Sequence, residues 1–146
     1  MAGAPSKYTP ELFDKICDTI AQSDLGLVYI CEHNGLSAKT FYEWIKDDVE
    51  LRNKYARARE LQADFLADQI LNIADDGSND FMKIVKGDME YNVEDKEVTN
   101  RSRLRVDARK WIASKLAPKK YGDKVDVKAE LTGEISVKQI TGMEIK

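Results

Sequence analysis

The sequence predicts a mainly α-helical protein with an N-terminal helix-turn-helix, a central long-helix oligomerisation core and short C-terminal β-strands that assemble between subunits. Three observations predict it. Apolar residues recur at helical spacing from Leu12 onward. Helix-start and helix-stop residues crowd the stretch from Thr9 to Ser37, whereas no Gly or Pro falls between Glu50 and Asp75. After Gly122 the apolar period changes from helical to alternating. These breaks divide the chain into residues 1–48, 49–122 and 123–146.

Thr9-Pro10-Glu11 opens the first helix: Thr can cap, Pro suits the first helical position, and Glu favours the positive end of the helix dipole. Leu12, Phe13, Ile16, Cys17 and Ile20 then define one buried face. Ser23-Asp24-Leu25-Gly26 breaks the chain, and Leu27, Ile30 and Cys31 make a short second helix ending at His33 or Asn34. Asn34-Gly35 is a turn, because both residues tolerate the left-handed backbone that ends a helix. Ser37 caps a third helix with Phe41, Trp44 and Ile45 facing inward. Helix, short helix, glycine turn and capped helix in this order read as a helix-turn-helix, with a plain three-helix bundle and a solvated outer face as the alternative. At 100° per residue, Lys39, Thr40, Tyr42, Glu43 and Lys46 lie away from Phe41, on a polar face that can form hydrogen bonds in a groove. Lys39, Thr40, Tyr42 and Lys46 are the candidate DNA contacts, and Arg52 and Lys54 the candidate phosphate contacts beside them.

From about Glu50 to Asp75 a long helix runs without Gly or Pro. Leu51, Tyr55, Ala58, Phe65, Leu66 and Ile73 form its stripe, and Ala56, Ala63, Ala67 and Ile70 widen it beyond what one partner helix covers. That second side is expected to be buried between subunits. Residues 75–100 are expected to hold a loop, a short helix at Phe81, Ile84 and Val85, and a small hairpin around Tyr91, Val93 and Val98. A last helix runs from about Asn100 to Leu116, with Leu104, Ala108, Trp111, Ile112 and Leu116 as its buried stripe and Pro118 as its stop. Val125, Val127, Leu131, Ile135 and Val137 then alternate with polar residues as two strands, which bury little alone and call for partners from other subunits. The last residues, Thr141 to Lys146, are expected to be a flexible tail.

The net charge of −3 is unevenly spread. Residues 75–100 carry 3 basic and 8 acidic groups, whereas residues 101–124 carry 9 and 2. An island of +7 in an acidic chain points to electrostatic partners more than to catalysis. One histidine, His33, and two cysteines in apolar segments, Cys17 and Cys31, suit few catalytic or metal designs and read as core thiols. There is no Gly-rich phosphate loop and no Ser/His/Asp set. A non-enzymatic protein without cofactor or metal is expected, with no membrane span and no secretion signal.

Three runs carry a family resemblance: Tyr8-Thr-Pro-Glu11; Gly35-Leu-Ser-x-x-Thr40-Phe-Tyr-x-Trp44; and Arg52-x-Lys54-Tyr55-Ala56-x-Ala58. With the later Arg103-Leu-Arg-Val-Asp107-x-Arg109-Lys-Trp111 and Ala117-Pro-Lys-Lys-Tyr-Gly-Asp-Lys124, the chain resembles the small terminase subunits of tailed bacteriophages over roughly residues 8–127. The pattern departs at Glu43, where related proteins can carry a basic residue. The resemblance implies a DNA-packaging component of the host cytoplasm. Such a component recognises double-stranded viral DNA, forms a homo-oligomeric ring, and delivers the DNA to the large terminase subunit, which supplies the ATPase and nuclease. The alternative from the residues is a prophage-borne helix-turn-helix transcription regulator with a dimerising tail.

Overall fold

The structure, a computed structural model, describes residues 7–123. Among them the chain forms six helices and one two-stranded antiparallel sheet. The strands expected between Val125 and Val137, and the tail from Thr141, lie outside the described residues.

Helix α1 spans Pro10–Ala21, α2 Leu27–His33 and α3 Ala38–Lys46. The local chemistry is that expected from the sequence. The Thr9 hydroxyl accepts from the Leu12 amide at 3.1 Å, and Ser37 Oγ accepts from the Thr40 amide at 3.2 Å. Gly35 holds a φ of +76° between α2 and α3, and a Cβ there would meet nothing within 4 Å. Its conformation is therefore set by the turn and not by crowding. Phe13, Ile16 and Ile20 of α1, Ile30 and Cys31 of α2, and Phe41 of α3 close a common core. The Phe13 and Phe41 rings stack with centroids 5.2 Å apart.

Helix α4, Val49–Asp75, runs unbroken from this unit into the rest of the molecule. Its Leu51 and Ala58 belong to the N-terminal core, with Tyr55 edge-on to Phe41 at 5.3 Å. Farther along, Ala63 and Leu66 are buried, as is Ala113 of α5, Lys96–Leu116, which returns antiparallel along α4. Gln62 is the one polar residue buried among those described. Its amide donates to the carbonyls of Ser23 and Leu25, both at 3.0 Å, and its oxygen accepts from Arg59 at 2.7 Å. Each buried polar atom is thus satisfied, which keeps its burial from costing stability. A short α6, Pro118–Tyr121, lies back on α4, where Lys120 and Tyr121 both donate to Asp64 at 2.6 Å.

The stretch 75–100 differs from its expected form. Phe81–Lys86 is strand β1, not a helix, and pairs antiparallel with β2, Met89–Glu94. The two residues between them are Gly87 and Asp88; Gly87 takes a φ of +65°, the positive value that the first turn position of this hairpin class requires. Phe81, Ile84 and Val85 mimic helical spacing only because both faces of β1 carry apolar residues. Val98 belongs to α5, which starts earlier than expected because Asp95 caps it by accepting from the Glu97 and Val98 amides. The expected stripe of α5 is a second correction. Leu104 and Trp111 are 68% and 63% exposed, while Ala113 faces α4. Small side chains on the inner face let the two helices pack, and the large apolar ones point outward.

Candidate nucleic-acid interface

Helix α3 is fixed from beneath. Phe41 and Ile45 are buried, Trp44 meets the Tyr8 ring edge-on at 5.3 Å, and the Phe13 stack locks the helix to α1. A rigid inner face leaves Lys39, Tyr42, Glu43 and Lys46 on the solvent side. Of the candidate contacts on α3, Thr40 is half-buried, and its hydroxyl lies 3.0 Å from Ser37 Oγ inside the N-cap. Tyr42 presents a half-exposed ring beside Phe41.

The two flanking candidates have intramolecular partners. Arg52 donates to the carbonyls of Ile45 at 3.2 Å and Lys46 at 2.5 Å. Its cation thus sits at the negative end of α3 and fastens that helix to α4. Lys54 lies 3.1 Å from Asp14 in a groove between α1 and α4, away from the α3 face. The hydrogen bond and charge of Asp14 hold its ammonium above the ordinary lysine value. The structure therefore puts Lys39, Tyr42 and Lys46 on one exposed face of α3, with the head of Arg52 at the C-terminal end of that helix, and places Lys54 elsewhere.

Sequence reasoning passed over Lys7. Its ammonium donates to the Gly35 carbonyl at 3.1 Å, which brings a cation to the turn leading into α3. No local spacing signals a contact across 28 positions. Neither cysteine offers chemistry: Cys17 and Cys31 are free and buried. Burial, with Asp14 and Asp18 nearby, pushes the Cys17 thiol up to about 11, and burial also raises Cys31. Among the described residues no cluster of three His, Cys, Asp or Glu side chains could hold a metal ion. None of their helices is long and apolar enough to cross a membrane.

The family model described as "Bacteriophage Sf6, terminase small subunit-like" matches residues 8–128. The chain belongs to this terminase small subunit family. Solved structures agree. Two crystal structures of point variants of the terminase small subunit gp1 of the bacterial virus Sf6 superpose with a TM-score of 0.61, at 34% and 33% identity. Each comparison covers 88% of this chain and 86% of the other. No curated protein matches. As a terminase small subunit, the chain has a role in phage DNA packaging, and its mainly helical fold is that of the family.

The four residues expected between subunits fare differently from one another in this family member. Ala63 is fully buried inside its own chain, so it has no surface left to offer a neighbour. Ala67 and Ile70 are half-buried and Ala56 is exposed. The reason is the return of α5, which packs along the second side of α4 that the sequence had left for a neighbouring copy.

Proposed function

We propose that this terminase small subunit recognises viral double-stranded DNA through α3, assembles into a ring, and hands the DNA to the large terminase subunit. One observation carries the reading: α3 is anchored by Phe41 and Ile45 and turns Lys39, Tyr42 and Lys46 to solvent in a chain of this family. Lys39 and Lys46 supply phosphate contacts; Tyr42 and Thr40 reach base edges or sugar. The site is weakly charged, since Glu43, Asp47 and Asp48 sit nearby. Repetition around a ring compensates: linked weak contacts gain effective concentration, raising affinity by about 10²–10⁴-fold. The protein itself does no chemistry and works in the host cytoplasm; the motor and nuclease belong to the large subunit.

Binding of the full chain to labelled duplexes, followed by fluorescence anisotropy over a salt series, tests this. The expected result is tighter binding to duplex from the phage's own packaging region than to a scrambled duplex, with affinity falling steeply as salt rises. Equal affinity for both duplexes, or none at low salt, overturns it.

A further inference from the structure

The outward side of α3 is not uniformly cationic. At about 100° per residue, the direction opposite the midpoint of the buried Phe41 and Ile45 belongs to Glu43. Lys39 stands one turn before it and Lys46 one turn after it, and all three are exposed. Both lysines lie at a spacing that allows a pair with Glu43 on a helix. No ion pair among the described residues engages any of the three, however. The carboxylate is left to whatever meets the helix. Asp47, the other exposed anion on this side, is the C-cap, where the chain leaves α3.

An anion at the centre of a DNA-contacting face lowers affinity for every duplex alike unless it finds a donor there. Phosphates offer none. In the major groove, which admits a helix, the donors are the amino groups of cytosine and adenine. Adenine sets its N7 acceptor beside that amino group, where it would face the carboxylate; cytosine sets only a C–H there. An ionised carboxylate accepts and cannot donate, whereas the hydroxyls of Thr40 and Tyr42 do both and the lysines only donate. Glu43 is therefore the side chain of this face with the sharpest preference between bases. The lysines on either side supply the attraction to phosphate that offsets its charge.

We infer that Glu43 is a specificity-determining residue, accepting a hydrogen bond from the N4 amino group of a cytosine in the major groove of the packaging site. This rests on the reading of α3 as the DNA-contacting helix and names a base that it selects. The same carboxylate repels duplexes that present no donor at that position, so discrimination comes from both the favoured and the disfavoured site.

Selection of bound duplexes from a randomised pool, with the full chain and with its Glu43→Gln and Glu43→Ala variants, tests the assignment. Position 43 is exposed, and helical circular dichroism with a sizing column checks that fold and assembly are kept. The intact chain should recover a consensus containing a cytosine whose replacement by any other base weakens binding about tenfold in fluorescence anisotropy. Glu43→Ala should recover the rest of that consensus with this position unfixed, and should bind scrambled duplex more tightly than the intact chain does. Glu43→Gln should lose the cytosine and favour adenine, whose N6 and N7 suit an amide. A consensus that fixes no cytosine, or one that both variants reproduce while gaining affinity equally on all duplexes, overturns the assignment and leaves the reading of α3 standing. An intact chain that recovers no consensus overturns both.

Discussion

Arg109 and Asp24, 85 positions apart, form an ion pair at 3.0 Å that ties the loop between α1 and α2 to α5. The same guanidinium donates to Gln69 of α4 at 2.7 Å, and its side chain is only 12% exposed. One residue therefore joins the N-terminal helical unit to both α4 and α5. Together with Gln62, which binds the carbonyls of that loop, it fixes where α3 sits relative to the α4–α5 pair.

Replacing Arg109 by Met removes the cation while keeping most of the apolar stem. The loss of charge-assisted bonds should lower unfolding stability by about 2 kcal/mol. Arg109→Lys should recover little of this, since a single ammonium cannot reproduce the fork that reaches Asp24 and Gln69 together. Urea denaturation midpoints check both outcomes; an unchanged midpoint for Arg109→Met would mean the link contributes nothing.

Gly35→Ala isolates the cost of the turn. A Cβ would touch nothing there, so the penalty comes from holding an alanine at a φ of +76°. About 1 kcal/mol of stability should be lost. The expected signature is a lower melting temperature with assembly preserved.

Acid should loosen α6. Hydrogen bonds from Lys120 and Tyr121 hold the Asp64 carboxyl below its ordinary 3.8. A carboxylate with a depressed folded value contributes stability in full above its unfolded value and loses it as pH falls through the folded one. The contribution should thus fade below pH 3.8, and Asp64→Asn should flatten the acid limb of a stability–pH profile. A variant whose acid limb matches that of the intact chain would show that Asp64 does not govern this contact.

Lys39→Ala with Lys46→Ala should weaken duplex binding and leave the oligomer unchanged. If both lysines touch phosphates, the slope of log affinity against log salt should shrink by about 2 for each engaged subunit. An unchanged slope would shift the contact to the cations of α5.

The helix-turn-helix was legible because its signals are local. Thr9 and Ser37 each accept from an amide three positions on, and the Gly35 amide donates to the Glu32 carbonyl three positions back. The long helix was legible for the same reason, by the absence of breakers. What escaped the sequence was decided at long range. Arg52 and Lys54 looked like free cations, yet one caps α3 and the other meets Asp14 across 40 positions. Ala63 looked like interface until α5 covered it. Leu104 and Trp111 were rightly read as one stripe, but the periodicity of a helix says which residues share a face and not what that face meets. At Phe81–Val85, apolar residues on both strand faces hid the alternation that would have announced a hairpin.

The mass of the protein–DNA complex tests the central claim most directly. Native mass spectrometry of the full chain with duplex from its packaging region should show one assembly of more than two copies of the 16.6 kDa chain carrying the duplex. No smaller species should hold DNA at the same salt. A DNA-bound dimer on a palindromic site, with no larger assembly at any concentration, would contradict the ring and favour a transcription regulator.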